Sequence, residues 1–269
     1  MVSVRVRSAL LGIVLAAAGV TPALAQDEPR VALSTSVNYS VGDYGTGKDT
    51  TLVYVPFTLG VRPIDRLWLS VTIPYIYQST QNVVLTGGGV AVRGKGSGKL
   101  ARPAGSTTES GLGDVLAKAA FVLVEEKDFL PEIAPYAKIK FPTADRDRGL
   151  GTGEYDETIG VDLSKHLVGG LFGYLGLAYT FIGDPPGTDL RDSFGWSVGA
   201  AWAVTTPFSV FAFLEGATAV TPGEADPLEM RVGAEYRLTR ALKLTGAVTR
   251  GLSDGSADWG VSAGLALRF

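Results

Sequence analysis

The chain has 269 residues, of which 46% are hydrophobic and 19% are charged, and its formal net charge at pH 7 is −3. This mild acidity argues against a nucleic-acid partner, which requires a basic surface. The sequence contains 35 glycines and no cysteine, so disulfides cannot hold the fold together, and the composition favours strands and turns over buried helices.

The first 25 residues have the three parts of a secretory signal peptide. Arg5 and Arg7 form a short basic region, an apolar run covers 9–20, and 23–25 is an A-x-A cleavage site. An uncleaved anchor is the alternative, but the apolar run is much shorter than the roughly 20 residues of a spanning helix. We therefore expect export, cleavage before Gln26 and a mature chain of residues 26–269.

From position 31 onward, apolar side chains alternate with small or polar ones at the period of two that is typical of strands. The sequence contains about twelve such segments. They cover 31–41, 53–61, 67–77, 115–123, 133–141, 159–163, 175–181, 194–204, 210–214, 230–238, 242–248 and 259–269. No later stretch is continuously apolar over a membrane-spanning length, so a membrane crossing would use strands.

The connections between these segments alternate strictly between short and long. The short ones are 62–66, 125–130, 165–170, 205–208 and 239–241, and the long ones are 42–49, 79–110, 142–154, 183–192, 221–227 and 251–258. Outer-membrane barrels have short periplasmic turns and long external loops. The sequence therefore predicts an all-β fold, a transmembrane antiparallel β-barrel of about 12 strands with both termini in the periplasm.

A soluble β-sandwich or a lipocalin-like barrel also alternates, but its apolar faces point inward. Aromatic residues stand at the ends of the apolar faces, as they do in interfacial girdles: Tyr75, Tyr77, Tyr179, Phe181, Trp196 and Trp259. A closed barrel would also satisfy every backbone polar group in lipid. We therefore expect the apolar faces to contact lipid.

The longest connection, 79–110, contains glycines at 87–89 and a basic run at 93–99, so it is not a lipid-facing strand. Its valines and leucine indicate a short hairpin: Val83, Val84, Leu85, Val90 and Val92. The hairpin can stand above the membrane or fold inward and restrict the lumen. We predict the external position, with a mobile basic tip.

Residues 259–269 form the clearest amphipathic strand, apolar on one side and small or polar on the other. The aromatic last residue resembles the C-terminal signal by which bacterial outer-membrane barrels are recognised for assembly. We expect this signal to be carried by Trp259, Leu265, Leu267 and Phe269.

The middle third of the chain resembles a known family. The segments SGLGDVLAKAAFVLV, from Ser110, and PEIAPYAKIKFPTADRDRGLGTGEYDETIGVDLSKHL, from Pro131, are similar to outer-membrane proteins of the "putative MetA-pathway of phenol degradation" family. The matching positions are Gly111, Gly113, Asp114, Lys118, Lys140, Pro142, Gly149, Gly151, Gly153, Ser164 and Lys165. The resemblance implies an outer-membrane transporter that passes aromatic compounds.

Several apparent chemical motifs do not predict chemistry. The segment 42–49 is close to a phosphate-binding loop, but Asp49 replaces the residue that would hold magnesium and strands flank it, so we interpret it as a hairpin loop. The sole histidine, His166, lies in a predicted short turn, on the wrong side for an outer-leaflet lipid hydrolase. One histidine does not make a metal site. We predict no metal, no cofactor and no enzymatic activity.

The faces opposite the apolar series contain charges of both signs. The candidate lumen residues are Asp114, Lys118, Tyr136, Lys138, Lys140, Asp156, Asp162, Glu215, Glu229, Arg231, Glu235, Arg237, Lys243 and Arg268. A salt-bridged interior that only fills the barrel is the alternative, because charges away from lipid must be paired or hydrated. Twelve strands lie between filled barrels and open porins, and many small inward residues favour a pore.

Three of these lysines, Lys118, Lys138 and Lys140, come from adjacent antiparallel strands and share one face. We predict that they form a basic patch that attracts anionic solutes such as aromatic acids. A mixed-charge ladder is expected elsewhere, from Glu229, Arg231, Glu235 and Arg237.

Together these features predict a monomeric outer-membrane barrel that acts as a passive, energy-independent channel or transporter for small solutes. Its expected partners are outer-membrane lipid, lipopolysaccharide, the barrel-assembly machinery and the solute. The absence of a plug domain ahead of Val31 argues against energy-coupled import. Two alternatives stay open: a closed structural barrel that binds partners through its external loops, and an outer-leaflet lipid hydrolase.

Overall fold

The computed structural model describes residues 30–44, 47, 49–80, 83–87, 89–92 and 108–269. The predicted signal peptide, the cleavage site before Gln26 and the basic run 93–99 lie outside these residues. Within these ranges, no helix has both the length and the apolar character needed to cross a membrane.

The described residues form fifteen β-strands, numbered in chain order. They are β1 (Val31–Gly42), β2 (Thr50–Ile64), β3 (Leu67–Gln78), β4 (Val83–Thr86), β5 (Gly89–Val92), β6 (Glu109–Leu112), β7 (Val115–Phe121), β8 (Glu132–Phe141), β9 (Asp156–Val168), β10 (Leu171–Ile182), β11 (Ser193–Ala203), β12 (Phe208–Ala217), β13 (Leu228–Arg237), β14 (Leu242–Gly251) and β15 (Trp259–Arg268).

Strands β1–β3 and β6–β15 pair into one sheet that closes on itself. β1 pairs with β2 on one side and with β15 on the other, and β2 pairs in turn with β3. β6 and β7 both pair with β3 and together make one barrel strand, which is interrupted at Gly113 and Asp114. The result is a closed antiparallel barrel of 12 strands, which confirms the predicted fold class and strand number.

The outer face of the barrel is apolar. On β2, Phe57 and Leu59 are 55% and 46% exposed, whereas the inward side chains of Leu52 and Tyr54 are almost fully buried. The same alternation recurs around the barrel, as predicted from the sequence. Exposed apolar surface costs about 25 cal/mol per Å² in water, so this outer band is suited to lipid. A soluble sandwich or lipocalin-like barrel has the opposite arrangement.

The two ends of the barrel differ in their connections. The connections 65–66, 122–131, 169–170, 204–207 and 238–241 lie at one end, which we call the turn end. All are short except 122–131, in which Lys127 and Leu130 form an isolated antiparallel bridge. Long connections at 43–49, 79–108, 142–155, 183–192, 218–227 and 252–258 lie at the other, the loop end. Four of the five turn-end connections have two to four residues, but 122–131 has ten, so the predicted alternation is present in most connections and is not strict.

β4 and β5 form the predicted hairpin within the longest connection, but not at the predicted position. Val83 and Val84 are 1% and 0% exposed, and Gly87 at the end of the hairpin is also buried. The hairpin folds into the barrel mouth at the loop end, so the expectation of an external hairpin is wrong. The physical reason is hydrophobic burial, because each aliphatic side chain of this size gains about 1.5–3 kcal/mol when it leaves water.

The side chains of β4 contact three separate apolar clusters in the mouth. Val84 packs with Ile182, Leu190 and Val220. Val83 packs with Tyr44 and Ala257. Leu85 packs against the cluster of Leu52, Tyr54, Ile76 and Leu150. Several loops therefore close around the hairpin, and the loop end of the barrel has an apolar core of its own.

Two smaller predictions have different outcomes. His166 lies within β9 rather than in a turn, where its Nε2 is hydrogen-bonded to the carbonyl oxygen of Gly169 at 2.5 Å and its ring packs against Phe172. The connection 43–49 joins the antiparallel strands β1 and β2, as the interpretation of this segment as a hairpin loop requires. Burial within this loop raises the pKa of Tyr44 to about 12.

Candidate functional site

The candidate lumen residues lie on two parts of the barrel wall, and every one of them is buried or half-buried. Asp114 lies at the bend between β6 and β7, and the others of the first group are on β7, β8 and β9. The second group is on β12, β13, β14 and β15. Their contact with a solute stays a prediction.

Lys140 is at the centre of a buried ion cluster. Its Nζ lies 2.9 Å from Oδ2 of Asp114 and 3.3 Å from Oδ2 of Asp156. The same Nζ donates hydrogen bonds to Oγ1 of Thr152 at 3.0 Å and to the carbonyl oxygen of Glu154 at 2.7 Å. These contacts compensate for removing an ammonium group from water. They also fix the bend between β6 and β7 to the loop that follows β8.

Residues that carry the family resemblance meet at this cluster. Asp114 follows the glycines of the first matching segment, and its Oδ1 accepts a hydrogen bond from the backbone N–H of Ala144 at 2.9 Å. A Cβ at Gly151 would lie 2.7 Å from Oδ2 of Asp114, so glycine lets the loop approach the carboxylate. The matching positions therefore build one structural site from segments that are far apart in sequence.

The end of the β4–β5 hairpin contacts the same wall. Nζ of Lys138 donates a hydrogen bond to the carbonyl oxygen of Gly87 at 3.0 Å, and the N–H of Gly87 donates to Oδ2 of Asp156 at 2.6 Å. A Cβ at position 87 would lie 2.7 Å from Cβ of Asp156 and 3.3 Å from Cγ2 of Thr180. The hairpin tip therefore requires glycine at this position.

Lys118 lies directly opposite Lys138 in the register of β7 and β8. Its Nζ is 3.6 Å from Oδ2 of Asp162 and 3.8 Å from the ring centroid of Tyr136. The three predicted lysines do share one face, but Asp114, Asp156 and Asp162 lie among them. Equal numbers of lysines and aspartates give this group no net formal charge, so the expectation of a purely basic patch is wrong.

The second charged group is held by ion pairs between neighbouring strands. Nη2 of Arg231 on β13 donates to Oε1 of Glu215 on β12 at 2.7 Å. Nζ of Lys243 on β14 donates to Oε1 of Glu235 on β13 at 2.9 Å. The remaining candidates on this part of the wall are half-buried: Glu229, Arg237 and Arg268. The charges of β13 are thus neutralised mainly across strands rather than along one strand.

An aromatic cluster lies between the two charged groups and was not among the predicted lumen residues. Phe211 and Phe213 are buried on the inner face of β12, with ring centroids 6.0 Å apart, and Tyr174 of β10 is 5.8 Å from Phe213. The sequence pattern does predict the inward position of these two rings. Side chains alternate between the two faces of a strand, so Phe211 and Phe213 lie on the face away from the outward Val210 and Leu214.

The rings of this cluster lie against glycines of adjacent strands. A Cβ at Gly199 would clash with the ring of Phe213 and lie 2.6 Å from the carbonyl oxygen of Ala212. The ring of Phe211 covers Gly233 in the same way, and the ring of Tyr136 covers Gly160. Aromatic rings that cover backbone glycines are a known way to stabilise sheets. Here they also occupy part of the interior.

The predicted assembly residues lie on the strand that closes the barrel. β15 pairs with both β1 and β14, and the Trp259 ring is 5.5 Å from the ring of Tyr39 on β1. Phe269 exchanges backbone hydrogen bonds with Val31, at 2.9 and 3.2 Å. Leu265 and Phe269 are exposed on the outer face, and Leu267 is half-buried. Recognition of these residues during assembly stays a prediction.

A closed antiparallel barrel with an apolar outer face and a charged interior defines a β-barrel membrane protein. The family described as "Putative MetA-pathway of phenol degradation" matches residues 50–269, and the chain belongs to this family. No curated protein matches the chain in sequence.

Solved structures of similar fold include a porin, a hydrocarbon channel and the transport unit of an autotransporter. The NanC porin has a TM-score of 0.55 at 10% identity, over 88% of this chain and 100% of that chain. The CymD monoaromatic hydrocarbon channel has a TM-score of 0.52 at 9% identity, over 90% and 89%. The transport unit of the autotransporter AIDA-I from Escherichia coli has a TM-score of 0.52 at 12% identity, over 92% of each chain. At these identities the shared feature is the fold.

Proposed function

We propose that this protein is a passive, energy-independent outer-membrane channel for small solutes, with neutral aromatic compounds as the favoured class. The observation that carries the proposal is the mixed polar and aromatic character of the inner barrel wall. Its wall combines paired charges with the aromatic cluster of Tyr174, Phe211 and Phe213, inside a barrel whose outer face is suited to lipid. Such an interior offers polar groups for water and apolar surface for a ring.

The orientation of the barrel in the membrane is inferred from the connections at its two ends. The loop end faces the outside and the turn end faces the periplasm, as in other barrels with this alternation of connections. The chain would reach the membrane through a signal peptide cleaved before Gln26, and Phe269 would be recognised by the barrel-assembly machinery. Lipopolysaccharide would then surround the outer half of the barrel.

The aromatic preference has support from two sources. The family description refers to phenol degradation, and the CymD structure of similar fold is a monoaromatic hydrocarbon channel. The interior supplies rings on which an aromatic solute can pack, since aromatic pairs with centroids 4.5–7 Å apart are favourable. Lys118 and Lys140 do not favour an anionic solute, because each is already paired with an aspartate.

The hairpin determines how a solute enters. Val83, Val84 and Leu85 connect three apolar clusters in the mouth, and the tip is hydrogen-bonded to the wall. A solute that enters from the loop end must pass this hairpin or displace it. We therefore infer that the hairpin restricts entry from the loop end.

Uptake by intact cells tests the function. A strain lacking the protein should take up radiolabelled phenol more slowly than the parent strain, and the full-length chain supplied in trans should restore the rate. Hexose uptake is the control and should be unchanged. Equal phenol uptake with and without the protein would contradict the proposal. Release of fatty acid from lipid by the same purified protein would instead favour the hydrolase alternative.

A further inference from the structure

We propose that Lys138 and Asp156 form a binding site for the hydroxyl group of a neutral solute, and that the tip of the β4–β5 hairpin occupies this site in the closed barrel. The inference rests on the proposed channel function and adds the location and chemistry of solute recognition. Gly87 supplies both contacts: its carbonyl oxygen accepts from Nζ of Lys138 at 3.0 Å, and its N–H donates to Oδ2 of Asp156 at 2.6 Å.

Lys138 differs from its neighbours in how its charge is compensated. Lys118 has Asp162 at 3.6 Å, and Lys140 has two aspartates within 3.3 Å. Within the described part of the chain, no carboxylate lies within ion-pair distance of Nζ of Lys138, although the side chain is buried. The charge of Asp156 acts on Lys138 from a greater distance. Its acceptor belongs to the hairpin rather than to the barrel wall. When the hairpin leaves, Lys138 needs another acceptor.

Asp156 also has contacts with the barrel wall and the loop after β10, which do not involve the hairpin. Its Oδ1 accepts the N–H of Gly183 at 3.0 Å, and Lys140 lies 3.3 Å from its Oδ2. The carboxylate is thus held in place by the wall, and Oδ2 is the atom that receives the hairpin N–H. Departure of the hairpin frees one acceptor position on Asp156 and one donor on Lys138, both at the same point of the inner face.

A hydroxyl group matches this pair of positions. It accepts one hydrogen bond and donates another through a single oxygen, as the backbone of Gly87 does with two atoms. A carboxylate only accepts, so Oδ2 of Asp156 would be left without its donor beside a second negative group, a cost that Lys138 and Lys140 offset only in part. A methyl group does neither. The site therefore selects neutral hydroxyl compounds over acids and hydrocarbons of the same size.

An apolar surface adjoins the site for the rest of the solute. Ile182 lies directly opposite Asp156 in the register of β9 and β10. Ile182 also belongs to the cluster that packs on Val84 of the hairpin. A ring attached to the hydroxyl group would therefore replace part of the hairpin's own apolar contact, so that the solute and the hairpin compete for the same place.

Hydrogen–deuterium exchange of the full-length barrel in detergent tests this competition. Phenol should accelerate exchange in a peptide covering 83–92 several-fold, whereas equal concentrations of toluene and benzoate should leave it unchanged. The Lys138→Met variant should lose the difference between phenol and toluene. Lys165→Met is the matched control, because Lys165 pairs with Glu126 at the turn end, and it should keep the difference.

Gly87→Ala provides a second variant that leaves both site residues intact. The added Cβ displaces the tip, so the hairpin should exchange quickly even without phenol, and calorimetry should show tighter phenol binding than in the original chain. Equal exchange with all three solutes, or a phenol effect that persists in Lys138→Met, would overturn the inference. Phenol-specific exchange without phenol uptake by cells would overturn only the channel function.

Discussion

Individual residues inside this barrel are held by contacts that join distant parts of the chain. Lys140 on β8 contacts Asp114 at the bend before β7, Asp156 on β9 and Thr152 in the intervening loop. Strand alternation predicts that these side chains face inward, but it does not predict which charges meet. Which side chains form ion pairs depends on the strand register and on the path of the loop. Neither can be predicted from the alternation of apolar and polar residues.

Replacement of Lys140 with Met is expected to destabilise the barrel by about 3–5 kcal/mol, because it leaves Asp114 and Asp156 buried without their shared cation. Urea unfolding of the barrel in lipid vesicles measures this change. Arg66→Met is the control, since Arg66 and Glu125 form an exposed pair with 48% and 37% exposed side chains. That variant should lose at most about 1 kcal/mol. Equal effects of the two variants would contradict the buried cluster.

A substitution at Gly199 tests the position of Phe213 in the aromatic cluster. Gly199→Ala should lower the free energy of unfolding, because the new methyl group would clash with the ring of Phe213 and the backbone of Ala212. Gly246→Ala is the control, since the nearest atom to a Cβ there is 3.9 Å away. Removing a flexible glycine from a strand at an open site should stabilise by about 0.5–1 kcal/mol. A stabilised Gly199→Ala variant would show that Phe213 does not lie over this glycine.

Among the elements, the barrel strands follow the sequence pattern closely and the hairpin does not. Each barrel strand has one face in contact with lipid, so its alternation reports its orientation. β4 is different, because Val83 and Val84 are consecutive and both buried. Consecutive apolar residues show that a segment is buried without showing where. The inward position of the hairpin therefore depended on tertiary packing with the loops at the mouth.

The role of the closing strand β15 in assembly can be tested at Phe269. Deletion of Phe269, or Phe269→Asp, should leave export intact but cause loss of the folded barrel from the outer membrane, because the strand end that pairs with Val31 and the predicted recognition signal are damaged together. Heat-modifiable migration in a gel reports the folded form. Phe269→Tyr keeps the aromatic ring and should assemble normally. Full yield after the deletion would contradict a role for Phe269 in assembly.

At the scale of the whole molecule, the fold supports a passive path with a restricted entrance. The apolar outer face and the strand number agree with the sequence-based prediction, and the alternation of connections agrees except at 122–131. The interior is more neutral and more aromatic than the sequence predicted, because carboxylates pair with Lys118, Lys140 and Lys243 and because Phe211 and Phe213 point inward. Selection of solutes therefore depends on neutral groups and on the hairpin rather than on net charge.

Conductance in planar lipid bilayers tests this central claim most directly. The complete barrel should give small and infrequent openings, and a variant in which a short glycine linker replaces residues 83–92 should give larger and more persistent ones. Empty bilayers and heat-denatured protein are the controls. If neither protein conducts although both migrate as folded barrels, the interior is filled and the channel account is wrong. If both conduct equally, the hairpin does not restrict the path.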